Sequence, residues 1–199
     1  PVAKRLFEEV DDALDQHLSK LMFNGPEEEL TLTENTQPAL MAVSLAIMRV
    51  LESEGGIDLT NAGKFVAGHS LGEYSALTAA KTFSIADAAR VLKARGNAMQ
   101  KAVPVGEGSM AALMGVDLDI AEEIAAEASA AGVCMAANDN APSQIVISGA
   151  TKAIEKAVEI AAEKGAKRSV ILPVSAPFHC AMMAPAAEVM AEVLADTRL

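Results

Sequence analysis

The sequence predicts an α/β protein with a core that displays a serine at a strand-to-helix turn. That core is interrupted by a smaller unit of order β-α-β-β-α-β, the split arrangement of a ferredoxin-like subdomain. Three observations lead there. Val66-Ala67-Gly68-His69-Ser70-Leu71-Gly72 places Ser70 between two glycines after a short apolar run, the spacing of a nucleophile elbow. Apolar residues recur three and four apart before residue 104, then alternate in short runs from residue 109. Both ends of the changed segment carry chain breakers, Pro104-Val105-Gly106-Glu107-Gly108 and Pro173-Val174-Ser175-Ala176-Pro177. Residues 1–103 and 173–199 are therefore assigned to the core, and 104–172 to the inserted unit.

Residues 1–22 form one helical pattern of Val2, Leu6, Phe7, Val10, Leu14, Leu18 and Leu21 among charges, with no N-cap residue. Asn24-Gly25-Pro26 breaks it, and residues 27–32 read as an acidic link. Thr33, Asn35 or Thr36 is expected to cap the next helix, with Pro38 in its first turn, where a missing N–H does no harm. That helix runs to Leu51, is apolar nearly all round and is expected to be buried; Glu54-Gly55-Gly56 ends it. Residues 64–67 read as the end of a buried strand and 73–80 as the helix after the elbow, with small residues at both glycine positions to let the turn close. Ser84 and Asp87 form a capped start for a helix over 85–103. In the inserted unit the expected strands are 109–116, 133–138, 144–148 and 167–172, and the helices 119–131 and 151–164, ending at Gly132 and Gly165. Residues 138–143 are the turn between the central strands, and a last helix covers 185–196 before an abrupt end at Leu199.

With 199 residues, 51% of them apolar, the chain can bury a sizeable core. A net charge of −11 argues against nucleic acid or an anionic membrane surface as partner, because long-range repulsion opposes both. The absence of an apolar run of membrane-spanning length and of a basic-then-apolar start makes cytoplasm the expected compartment. Cys134 and Cys180 are the only cysteines; they lack metal-type spacing and read as reduced, buried thiols. No metal site is expected.

A serine hydroxyl needs a base within hydrogen-bond reach to act as nucleophile at neutral pH, and histidine suits that task. There are three histidines. His17 lies among charges in the first helix and reads as solvated. His69 adjoins Ser70 but points away from it on an elbow, and so braces the loop or lines the pocket. His179 follows two prolines where the chain re-enters the core; the residues alone leave it open between general base and satisfied structural histidine. Arg95, by the residues alone, reads as one more charge on an exposed helix.

Gly68-His69-Ser70-Leu71-Gly72-Glu73-Tyr74-Ser75-Ala76-Leu77, Arg95-Gly96-Asn97-Ala98-Met99-Gln100, Asn138-Asp139-Asn140-Ala141-Pro142 with Gln144-Ile145-Val146-Ile147-Ser148-Gly149, and Val174-Ser175-Ala176-Pro177-Phe178-His179 together resemble the malonyl-CoA:acyl carrier protein transacylase family. Thr36-Gln37-Pro38-Ala39-Leu40 also matches, and the likeness is collinear over the chain. It implies an α/β-hydrolase-like core with a ferredoxin-like insert. It further implies ping-pong transfer of malonyl from coenzyme A to the phosphopantetheine thiol of acyl carrier protein. By the same resemblance, Ser70 is the acylated nucleophile and His179 its general base and later acid. Arg95 pairs with the malonyl carboxylate, Leu71 gives an oxyanion-hole N–H, and Phe178 either crowds an α-methyl group or serves as a core anchor. Malonyl-CoA and the carrier protein are substrates, no cofactor is implied, and a monomer is expected. Arg90, Lys93, Lys101, Lys167 and Arg168 are candidates for docking the acidic carrier.

The family pattern opens with a strand and a Gly-Gln-Gly-x-Gln loop and continues past the equivalent of Leu199, so the resemblance covers its middle segment. On that reading the core lacks its first strand and C-terminal part, and the 199 residues alone are expected to show little transfer activity, since losing one oxyanion donor costs about 100- to 1000-fold. The alternatives are a serine thioesterase or esterase with water as acceptor, and an inactive piece retaining only carrier-protein binding.

Overall fold

The computed structural model describes residues 1–197, without the side chain of Thr60. The end at Leu199 lies outside the described residues. Contacts divide the chain into a helical unit, residues 1–97 with 189 onward, and a sheet unit, residues 98–188.

The helical unit contains α1 (Val2–Leu14), α2 (Leu18–Asn24), α3 (Glu27–Thr31), α4 (Thr33–Ser53), α5 (Leu59–Ala62), α6 (Leu71–Ala79) and most of α7 (Ile85–Ala102). The single helix expected over 1–22 is two. Asp15 turns left-handed at φ 47° to end α1, and the Asp11 carboxylate accepts hydrogen bonds from Ser19 N at 2.8 Å and Ser19 Oγ at 2.5 Å in α2. The acidic link is the short helix α3, with Glu27, Glu28 and Glu29 in its first turn, where a helix N-terminus favours negative charge.

No side chain caps α4. Thr36 Oγ1 donates instead to Leu30 O at 2.6 Å and Asn35 Nδ2 to Glu29 O at 2.9 Å, satisfying carbonyls at the end of α3. Pro38 lies inside α4 rather than in its first turn, so the Glu34 carbonyl lacks its i+4 donor. The expectation that α4 is buried all round is also corrected. Met41, Ala42, Leu45 and Ala46 pack with Leu6, Val10, Leu18 and Leu92 in one core, while Leu40, Val43, Ile47 and Leu51 are exposed.

The expected strand at 64–67 does not form: residues 65–68 have no regular structure and Phe65 is 93% exposed. A strand requires a ladder partner, and this segment joins no ladder among the described residues. By contrast, the start of α7 is capped as expected. Asp87 N donates to Ser84 Oγ at 3.0 Å, and Ser84 Oγ donates to the Asp87 carboxylate at 2.6 Å.

In the sheet unit the order is β1 (Gly108–Met114), α8 (Leu118–Ala128), β2 (Cys134–Ala141), β3 (Gln144–Ala150), α9 (Thr151–Glu163) and β4 (Arg168–Ile171), followed by α10 (Ala184–Asp196), part of which belongs here. The strands form one antiparallel sheet in the order β2-β3-β1-β4. Alternate residues Ala111, Leu113, Ile145 and Ile147 are buried with Ile124, Ala128, Ile154, Ala157 and Ile160 of the two helices, as period-2 strands and period-3.6 helices require. The turn expected over 138–143 is shorter: Asn138 and Asn140 lie within β2, whose register shifts twice against β3. Two bulges thus keep pairing where turn-type residues occur, leaving Pro142 and Ser143, at φ 61°, to reverse the chain. Both cysteines are free and buried. No described helix is long and apolar enough to cross a membrane.

Candidate active site

Ser70 is the residue before α6 and has φ 55° and ψ −114°, a conformation that a non-glycine residue holds only when its surroundings enforce it. Gly72 N to His69 O at 2.9 Å and Glu73 N to Ser70 O at 3.1 Å close the turn. A Cβ on Gly68 would stand 1.8 Å from Gly72 O, whereas one on Gly72 would meet nothing within 4 Å. The sequence expectation that both positions must be small is therefore corrected: the fold excludes a side chain only at Gly68. Leu71 begins α6, so its N–H has no intrahelical acceptor and stands beside the serine. His69 is exposed, as is His17 at the start of α2.

Arg95, on α7, is half-buried and reaches the elbow. Its Nη2 donates to Ser70 Oγ at 3.1 Å and its Nη1 to Gln37 Oε1 at 2.5 Å. The guanidinium carbon lies 5.6 Å from the centre of the Tyr74 ring, which stacks on Phe83. Burial pushes the guanidinium below its ordinary value, opposed by Tyr74 and Glu73; an arginine stays charged at neutral pH through such a shift. Arg95 is thus no solvated helix charge but a cation held against the serine. Chemically, this places an anion-binding fork next to a displayed hydroxyl.

His179 and Phe178 lie in the sheet unit. His179 is exposed at φ 60°, on a loop held by Gln100 Nε2 donating to Ser175 O at 3.3 Å and Cys180 Sγ donating to Pro177 O at 3.2 Å. Pro177 is buried against the start of β1, where a Cβ on Gly108 would meet its ring at 2.2 Å. Phe178 is partly buried against the cluster that contains Met99, Val103 and Met183. The structure therefore brings Ser70, Leu71 and Arg95 together in one unit and carries His179 and Phe178 on a braced loop of the other. No group of three metal-ligating side chains is found among the described residues.

A family model described as acyl transferase domain matches residues 1–199. The chain belongs to that family. It is 49% identical over 195 residues to the malonyl CoA-acyl carrier protein transacylase of Bacillus subtilis strain 168, covering 98% of this chain and 60% of that protein. The corresponding Escherichia coli K12 protein is 45% identical, over 98% of this chain and 62% of its own length. Among solved structures, an acyl-carrier-protein-S-malonyltransferase from Bartonella henselae superposes with a TM-score of 0.95 at 59% identity, covering 99% of this chain and 62% of that one. A complex of a type II polyketide synthase acyl-carrier protein with its malonyl-transacylase matches at TM-score 0.94 and 42% identity, covering 100% and 63%. The chain spans about three fifths of the length of the relatives it matches.

Three residues of this acyl transferase domain stand in the quoted motifs with no role assigned from the sequence. Gln37 is 3% exposed and holds Arg95, Tyr74 lies against the guanidinium, and Gly96 lets α7 approach α4 so closely that a Cβ there would be 2.4 Å from Glu34 Cα. The available signal was a run of polar side chains, Thr33, Asn35 and Gln37, opening an otherwise apolar helix.

Proposed function

We propose that this chain carries the acyl-transfer site of a malonyl-CoA:acyl carrier protein transacylase. The observation that carries the reading is the Arg95 guanidinium 3.1 Å from Ser70 Oγ, which favours an acyl group bearing its own carboxylate. Ser70 Oγ attacks the malonyl thioester carbonyl while His179 takes its proton, and the Leu71 N–H faces the oxyanion. The coenzyme A thiolate leaves and receives that proton, giving malonyl-Ser70. In the second half the phosphopantetheine thiol gives its proton to His179 and attacks the ester, and Ser70 leaves as the alcohol. Neither half requires a cofactor.

The names of the relatives and the complex with an acyl-carrier protein support carrier protein as the acceptor. Lys101, Lys167 and Arg168 are the docking cations of this reading; Arg90 and Lys93 are engaged within the fold by Asp87, Ala13 O and Asn35. We further infer an α/β-hydrolase-like core over 1–103 and 173–199 with a ferredoxin-like insert over 104–172, supported by the elbow and the observed strand order. A cytoplasmic monomer completes the proposal. A thioesterase or esterase would share the elbow, but an arginine on the serine serves no neutral acyl group.

Intact-mass measurement after exposure to malonyl-CoA tests the reading. One malonyl group on Ser70, absent in Ser70→Ala, is the expected result; a wild-type protein that never gains the group, however long the exposure, overturns it.

A further inference from the structure

The hydrogen-bond acceptors of Arg95 are neutral, and Glu73 acts on it only through space. Among the described residues its hydrogen-bond acceptors are Gln37 Oε1 and Ser70 Oγ, its ring contact is Tyr74, and no carboxylate forms an ion pair with it. A half-buried cation is ordinarily matched by Asp or Glu. Here the position that faces its Nη1 edge is taken by an amide whose orientation is itself fixed. Gln37 Nε2 donates to Thr33 Oγ1 at 2.8 Å within the buried first turns of α4, so the oxygen and not the nitrogen points at Arg95. The close passage of α7 at Gly96 over Glu34 leaves little room for the pair to rearrange.

We infer that Gln37, oriented by Thr33, is a specificity-determining positioning residue. It occupies one edge of the Arg95 guanidinium without neutralising it, so the Nη2 edge stays aimed at Ser70 with its full charge available to a carboxylate on the acyl group. Glutamate at the same place would form the ion pair in advance and compete with the substrate. Without Thr33 the amide is free to turn over and present an N–H to the cation. This inference rests on the malonyl-transfer reading above and assigns the basis of its choice between acyl groups.

The test is the rate of Ser70 acylation by malonyl-CoA and by acetyl-CoA, followed by intact mass in wild type, Gln37→Glu and Thr33→Val, with a thermal melt of each. In Gln37→Glu the malonyl-to-acetyl ratio is expected to fall by about 10- to 100-fold, the scale of one charge-assisted contact. The half-saturating malonyl-CoA concentration should rise more than the saturating rate falls. Thr33→Val is expected to lower the ratio by about 2- to 5-fold, the scale of one neutral hydrogen bond. A folded Gln37→Glu with the wild-type ratio overturns the inference while leaving the transfer reading intact. If that variant does not fold, an unchanged ratio in Thr33→Val overturns it equally. A wild-type protein that never gains malonyl on Ser70 overturns the transfer reading itself.

Discussion

The two units of this chain treat apolar sequence in opposite ways. In the sheet unit, four strands and two helices close on one another. Ile145, Ile147, Ile154 and Ile160 are each at most 3% exposed. In the helical unit, α4 is largely apolar from Pro38 to Leu51, yet Leu40, Val43, Ile47 and Leu51 stand 38–56% exposed, and residues 65–68 run to the elbow without a ladder partner. The difference teaches that an alternating pattern is sufficient where each strand finds its ladder partners within the same unit, as β1 does in β3 and β4. An all-apolar pattern states only that something should cover a surface, not what does so.

That contrast can be broken most forcefully by truncating one isoleucine in each unit. Ile147→Ala removes a side chain at 0% exposure and is expected to cost about 2–5 kcal/mol. Ile47→Ala, at 56% exposure, should shift stability by no more than about 0.5 kcal/mol. Urea denaturation of both variants measures the difference, and equal losses would show that the exposed face of α4 is covered in solution. A smaller effect is expected from Gly96→Ala, whose Cβ would push α7 off α4. It should cost about 1–3 kcal/mol by the same measurement, with the loss confined to the helical unit in hydrogen exchange.

The smallest effect sharpens the comparison by pH. Burial pushes the Cys134 thiol up from 9.0 to about 11, with a further contribution from Cys180. Because the unfolded chain releases this proton first, native stability is full below pH 9 and falls as pH rises toward 11. Cys134→Ala should flatten that alkaline fall in the melting temperature, and an unchanged slope would remove Cys134 as its source.

The site was legible in unequal parts. Ser70 could be read because an elbow is a local backbone event written in consecutive residues. The capping pair Ser84–Asp87 and the element order of the sheet unit were legible for a similar reason: a cap is written within one turn, and each strand and helix in its own periodicity, although β1 pairs with the sequence-distant β3 and β4. The character of Arg95 was not, because nothing on α7 says whether a residue in its middle meets solvent or the N-terminal part of a helix 58 positions earlier. Nor was the break at Asp15 visible, since α1 and α2 continue one hydrophobic rhythm and the turn is held by Asp11, within α1, accepting from Ser19 across it.

By itself the sequence determined the serine displayed at the elbow, the element order of the sheet unit and the polar residues opening α4, all consequences of short-range periodicity and backbone sterics. Only the tertiary structure decided that Gln37 faces Arg95, that Arg95 faces Ser70, that Gly68 and not Gly72 is excluded from carrying a side chain, and which face of α4 is buried. Those outcomes depend on which helices pass within contact of one another, and long-range packing leaves no mark in the spacing of neighbouring residues.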